Sequence, residues 1–181
     1  MDLTEKTLGK SYIYKGRIIN MRVDDAMLPD GRTAKREVVE HPGGVCIAAL
    51  TEQEELLFVE QFRYPYGEVV LELPAGKLEY GEDPLEAGKR ELQEETGAAA
   101  QDYRSLGKLY PTPGYCGEII HLYLATDLTF SAQHPDDDEF LELRRIPLEK
   151  AFQMVMENKI ADAKTQVGIL KTYQLVREGL V

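Results

Sequence analysis

The sequence predicts a mixed α/β fold, and two observations predict it. Short runs of strand-like apolar alternation come first, followed by one helical stretch, further strands and a helical C-terminal region. The hydrophobic period also changes from two to nearly four soon after Pro74. This order is not a regular βαβ array, and neither GxGxxG nor GxxxxGK[ST] occurs, so a dinucleotide-binding doubly wound sheet is not expected. The 181 residues, 43% of them hydrophobic, suit one compact domain, because two separate cores would each be small.

The elements follow in order. Ile18 to Val23 alternates, with Ile19, Met21 and Val23 on one face and Asn20 and Arg22 on the other. Pro29, Asp30 and Gly31 form a turn that returns the chain through a strand from Arg36 to Glu40. Val45 to Leu50 and Leu56 to Phe62 are apolar runs separated by a polar TEQEE, which reads as a hairpin within a buried sheet. Val69 to Leu73 is a strand closed by Pro74. A helix is predicted from Pro84 to Thr96: Asp83 caps it, Pro84 suits its first position, Glu86 completes a capping box and Gly97 ends it. Strands follow at Leu106 to Leu109, Ile119 to Ala125 and Phe140 to Ile146. Two helices, Leu148 to Asn158 and Ala163 to Arg177, then carry Leu148, Phe152 and Val155 and later Ile169, Tyr173 and Val176 at helical spacing.

Acidic residues outnumber basic ones by 32 to 21, a formal charge of −11, which argues against a nucleic-acid binder and a polybasic membrane binder. A phosphate-bearing substrate would need a cation to enter such a protein. No apolar run approaches the ~20 residues of a membrane span, and MDLTEKTLGK lacks the apolar core of a signal peptide, so a cytoplasmic protein is expected. Cys46 and Cys116 lie far apart outside any CxxC spacing, which suits buried thiols and not a disulfide scaffold or zinc site. His41, His121 and His134 are scattered and suit packing or surface positions.

The helix from Pro84 carries the chemistry. Leu85, Gly88 and Leu92 form a stripe toward the sheet, while Glu91 and Glu95 project from neighbouring turns with Glu94 beside them. Like charges so placed repel. They are tolerable on a solvated face, offset by Glu86 to Arg90 and Arg90 to Glu94 pairs, or their oxygens converge on a hard divalent cation.

The spacing of Gly76, Glu82, Arg90, Glu91, Leu92, Glu94, Glu95, Gly97 and Ala98 resembles the Nudix box, G-x5-E-x7-R-E-U-x-E-E-x-G-U, where U is a bulky aliphatic residue. Only Ala98 departs, at a packing position. The resemblance implies a Nudix fold, a mixed sheet between helices in an α/β/α arrangement. It divides the chain into an N-terminal antiparallel β segment, 1–42, serving dimerisation and substrate contacts, and a Nudix hydrolase domain, 43–181. It further implies that Glu91 and Glu95 are the principal ligands of Mg²⁺, or of Mn²⁺ in its place. The Ala75 carbonyl joins them, Glu94 and Glu82 assist, and Arg90 is an orienting ion-pair partner. Such an ion would neutralise a pyrophosphate and orient the attacking water, and Mg²⁺ prefers oxygen ligands. Gly76 would let a backbone carbonyl turn toward the metal.

Gln61-Phe62-Arg63, Leu73-Pro74-Ala75-Gly76, Pro111-Thr112-Pro113-Gly114 and Ala161-Asp162-Ala163-Lys164-Thr165 resemble the bacterial ADP-ribose pyrophosphatase branch, and Pro113 matches its characteristic proline. The implied reaction is hydrolysis of ADP-ribose to AMP and ribose 5-phosphate. By the same resemblance Arg63 grips a substrate phosphate, and Glu82 and Pro113 belong to the substrate site. Glu139 is the carboxylate presented to water, in a catalytic set with Glu94 and Arg90; Asp138 is second choice. Arg36, Tyr12 and Tyr14 are candidates for ADP-ribose or second-subunit contacts in a homodimer. Two alternatives stay open: a pyrophosphatase for another nucleoside diphosphate sugar such as GDP-mannose or for a dinucleotide, and a non-catalytic domain that senses ADP-ribose.

Overall fold

Gly44 to Leu50 is buried at every position, and this strand separates two hydrophobic cores. The computed structural model describes residues 2–134 and 140–181, which form two compact units, residues 1–43 with 110–119, and residues 44–109 with 120–181.

In the first unit β1 (Lys6–Lys15), β2 (Asn20–Met27) and β3 (Thr33–Glu40) form an antiparallel meander in the order β1-β2-β3. The expected turn is present, with Gly31 N donating to the Leu28 carbonyl at 2.9 Å. β1 is a strand that the residue pattern does not announce. Nearly all of it is exposed, so it has no apolar alternation, and its order comes from pairing with β2 from Lys6 opposite Met27 to Lys15 opposite Asn20. Residues 110–119 join the meander through Val39, whose N–H donates to the Tyr115 carbonyl at 2.8 Å and whose carbonyl accepts from Gly117 N at 2.9 Å.

The second unit holds β4 (Gly44–Ala49), β5 (Glu55–Arg63), β6 (Glu68–Glu72), β7 (Ala75–Lys77), α1 (Pro84–Thr96), β8 (Ala98–Leu109), β9 (Ile120–Phe130), β10 (Leu141–Pro147), α2 (Leu148–Met156) and α3 (Ala163–Arg177). Its strands form two sheets, an antiparallel β10-β5-β6 and a mixed β7-β4-β9-β8 in which β4 and β9 run parallel. The expected hairpin between the two central apolar runs is therefore corrected. They meet only at the turn, through a Leu50–Leu56 bridge and Thr51 N to the Glu55 carbonyl at 2.9 Å, and then enter different sheets. Each is a middle strand with a partner on both sides, so neither has an edge left for the other.

The two cores account for the layers. Val45, Ile47, Ala49 and Leu57 pack with Ala87 and Leu92 of α1 and with Ala98, while Cys46, Ala48, Leu50, Leu56 and Phe58 pack with Leu148 and Ala151 of α2 and Ile169 of α3. Alternate residues of one strand thus feed opposite cores, the pattern of sheet covered by helices on both faces. Phe152 and Tyr173 stack at 4.0 Å between ring centroids and join α2 to α3. Ala98, the one departure from the box, is fully buried under α1, where its small size suits the packing. Among the described residues no helix is long and apolar enough to cross a membrane.

Candidate active site

The cap of α1 forms as its residues dictate: Asp83 accepts from Leu85 N at 2.9 Å and Glu86 N at 3.2 Å, and Gly97 closes the helix with its N–H on the Gln93 carbonyl at 2.9 Å. Glu86 does not complete the expected capping box; its carboxylate turns outward to Lys89 at 2.7 Å, and this pair also replaces the expected one with Arg90. Ala87, Gly88, Glu91, Leu92, Glu95 and Thr96 form the buried face. Gly88 brings α1 close to β4, where a Cβ would stand 2.6 Å from Ile47 Cδ1.

Glu91 and Glu95 therefore lie on the inner side of the helix, 8% and 2% exposed, and not on a solvated face. Glu95 Oε2 accepts from Ala75 N at 3.0 Å. Glu91 lies over Gly76, and its Oε1 is 2.8 Å from Arg90 Nη1. The same nitrogen is 2.9 Å from Glu94 Oε2, while Arg90 Nε reaches Glu82 Oε1 at 3.1 Å. One guanidinium thus binds three carboxylates and offsets the repulsion of the cluster. The Glu82 hydrogen bonds raise the Arg90 pKa above its usual value against the pull of burial, with Glu91 and Glu94 adding to them. Arg90 in turn holds Glu82 below the ordinary carboxylate range, and Glu79 N contributes at 2.8 Å.

The structure thus brings together Ala75, Gly76, Glu82, Arg90, Glu91, Glu94 and Glu95. Every ligating atom this set offers is a carboxylate or carbonyl oxygen, which suits a hard divalent cation. Among the described residues no three acidic, histidine or cysteine side chains are gathered as a ready metal cage.

Arg63, the last residue of β5, is tied to Glu72 at the end of β6 by Nε to Oε1 at 2.6 Å and Nη2 to Oε2 at 2.8 Å. Its Nη1 makes no hydrogen bond among the described residues. Glu72 is 2% exposed and is also paired with Lys164, which lies 3.0 Å from Asp162. Burial alone pushes the Glu72 carboxyl up, but Arg63 and Lys164 outweigh it and hold it below the ordinary range. Burial likewise pulls Lys164 down, and Asp162 and Glu72 more than restore it. Cys46, fully buried beside this cluster, is pushed up to about 12 by its burial and is a packed thiol. Cys116 is only half-buried.

Of the other expected site residues, two belong to the first unit and two fall outside the described residues. Arg36, in the first unit, is exposed and paired with Glu5 at 2.6 Å. Pro113 is exposed on the segment 110–119 of that unit. Glu139 and Asp138 fall outside the described residues. Just before them, His134 N donates to the Glu94 carbonyl at 3.0 Å, and Gln133 Nε2 donates to the Glu95 carbonyl, so residue 134 is fixed to the C-terminal turn of α1.

Glu72 and Lys164 are residues to which the sequence reading assigned no role. The signal for Glu72 was an acidic residue inside the apolar run Val69 to Leu73; a charge at such a position needs a buried partner.

Residues 40–167 match the NUDIX domain, and residues 5–39 match the nucleoside diphosphate sugar hydrolase N-terminal domain. The chain is 40% identical to the ADP-ribose pyrophosphatase of Bacillus subtilis (strain 168), over 98% of this chain and 96% of that one. It is 42% identical to the methanol dehydrogenase activator of Bacillus methanolicus, over 97% of this chain and 95% of that one. A crystal structure of an ADP compounds hydrolase superposes with a TM-score of 0.85 over the whole of both chains at 22% identity, which shows a common fold. With Gly76 on β7, Arg90, Glu91, Leu92, Glu94 and Glu95 on α1, and these matches along its length, the chain belongs to the Nudix family and is a Nudix hydrolase.

Proposed function

We propose that this enzyme hydrolyses the pyrophosphate bond of ADP-ribose to AMP and ribose 5-phosphate, with Mg²⁺ as its working ion and Mn²⁺ as a substitute. The observation that carries the reading is the gathering of Glu91, Glu95 and Arg90 around Ala75 and Gly76. It stands in a chain similar along nearly its whole length to a relative named ADP-ribose pyrophosphatase. Nudix hydrolases generally use divalent metal ions.

Glu91, Glu95 and the Ala75 carbonyl would hold the ion, with Glu94 beside them. When bound, it neutralises phosphate charge and lowers the cost of activating water. Arg90 keeps Glu91 and Glu94 in place, and Glu82 anchors Arg90. Arg63 offers its Nη1 edge to a substrate phosphate. Glu139 accepts the proton of the attacking water. Arg36 and Pro113 contribute to the substrate site, and residues 1–42 build a homodimer of a cytoplasmic enzyme that uses neither nucleic acid nor membrane.

The test is a panel of ADP-ribose, GDP-mannose, NADH and ATP, with products identified in ¹⁸O-labelled water. ADP-ribose should have the highest kcat/KM; a clear preference for GDP-mannose would transfer the reading to another nucleoside diphosphate sugar. Light scattering should give a dimer at micromolar concentration, and a fully active monomer would remove that part.

A second reading draws on the relative from Bacillus methanolicus, which is named for activating another enzyme. Activation of a purified methanol dehydrogenase by the wild-type chain, surviving Glu95→Gln, would favour it over hydrolysis.

A further inference from the structure

Glu72 lies between two cations drawn from distant parts of the sequence, Arg63 on β5 and Lys164 on α3. Such a buried ion cluster is a poor source of stability, because desolvation of the charges offsets much of their attraction. Lys164 is also badly placed for its own helix. It stands in the first turn of α3, where a positive charge opposes the helix dipole. What the arrangement supplies is fixed geometry.

The chain between Glu72 and Ala75 is gripped at each residue. Lys164 takes the Glu72 side chain, and its neighbour Thr165 accepts from Leu73 N through Oγ1 at 2.9 Å. The Pro74 carbonyl accepts from Ile47 N at 2.8 Å, and Ala75 N donates to Glu95 at 3.0 Å. The first turn of α3 thus clamps both the side chain of Glu72 and the backbone that follows it. Asp162 caps that turn by accepting from Thr165 N at 2.9 Å and pairs with Lys164, so two positive and two negative groups balance.

We propose that Lys164 is a positioning residue for substrate binding: it pins the Glu72 carboxylate, and Glu72 holds Arg63 so that the Nη1 edge is presented to a substrate phosphate. This rests on the reading that Arg63 grips phosphate. Without Lys164 the carboxylate still pairs with Arg63, but the pair loses its fixed point and the guanidinium no longer has one orientation.

The experiment is a double-mutant cycle in kcat/KM for ADP-ribose with Mg²⁺, comparing wild type, Lys164→Met, Arg63→Ala and the double variant, with Lys164→Arg as the conservative control and a thermal midpoint for each. Lys164→Met should lower kcat/KM about 10- to 100-fold, the range typical of residues that orient a ligating group. Lys164→Arg should recover most of it, and in the Arg63→Ala background the further loss should be under about twofold. If Lys164→Met is unfolded at assay temperature, Lys164→Gln, which keeps a donor for Glu72, takes its place in the cycle. Losses that multiply in the double variant would overturn the proposal, as would wild-type kcat/KM in Lys164→Met or in Arg63→Ala. A wild-type protein inactive on ADP-ribose would instead remove the functional reading itself.

Discussion

Gly76 and Glu91 share one small space: a Cβ on Gly76 would lie 1.9 Å from Glu91 Cδ and 2.0 Å from its Oε1. Beside the carbonyl role expected of it, this glycine meets a steric requirement. Its φ is not among the positive values of the chain, and what it supplies is room for a carboxylate beneath β7. Gly76→Ala should therefore displace Glu91, destabilise the fold by about 1–3 kcal/mol and lower activity at limiting Mg²⁺ by at least about 10-fold. Metal titration of turnover beside thermal unfolding checks this; an alanine variant with unchanged Mg²⁺ dependence would mean that Glu91 is not a ligand.

Glu91→Gln and Glu95→Gln should each lose activity by more than about 100-fold while the protein remains folded. The amide oxygen introduced by Glu95→Gln can still accept from Ala75 N, so the hydrogen bond at 3.0 Å is replaceable while the anionic charge is not. Circular dichroism and steady-state kinetics on the same preparations separate the two effects. Near-normal turnover of either variant at ordinary Mg²⁺ would count against the ligand assignment.

Acid should weaken the Glu72 cluster. The carboxyl is held below its ordinary value of 4.5, so its contribution to stability is fully present above that value and is lost as pH falls through the lower folded-state value. The thermal midpoint of wild type should fall below about pH 4.5 more steeply than that of Glu72→Gln. Parallel curves would mean that this carboxyl titrates alike in the folded and unfolded chains.

A water attacking phosphorus must lose a proton. Glu139→Gln should lower kcat by about 10²- to 10⁴-fold with little change in KM, and Asp138→Asn should matter less. Both residues lie outside the described ones, the last before them being His134, whose N–H donates to the Glu94 carbonyl. If Asp138→Asn proves the crippled variant, the base is one residue earlier; if neither changes kcat tenfold, the proton leaves by another route.

Legibility in the sequence followed how local each cause was. The bounds of α1 are read correctly because Asp83, Pro84 and Gly97 state them within a few residues, and those of α3 are read from Ile169, Tyr173 and Val176 at helical spacing, with Asp162 found as its cap in the structure. The first part of β8 is missed because AAAQDYRS has no strand character; it is extended because Ala98 to Ser105 pairs with Phe130 to Tyr123. β7, three residues long, is too short to show a period. Sheet membership of β4 and β5 depends on β9 and β10, far along the chain. At the site, residue identities and spacing are legible, but burial is not. Glu91 and Glu95 look like a charged surface until the Ala75 amide and the Arg90 guanidinium are seen to meet them. Arg63 looks like an unattached cation until Glu72 is placed beside it.

The strand β4 works as a spacer gauge. On one side Gly88 of α1 lets the helix sit against Val45 and Ile47; on the other Gly168 of α3 leaves no room for a methyl beside Leu73, where a Cβ would stand 2.6 Å from Cδ1. The separation between the helix bearing the acidic cluster and the helix bearing Lys164 is thus set by β4, by the Leu73 side chain against which α3 rests and by two missing side chains, without the slack that bulkier residues bring. A misfit of a few tenths of an ångström on either flank becomes an error in where a negative charge stands relative to a positive one, so the packing tolerance of this hydrophobic wall is the alignment tolerance of the polar machinery it carries.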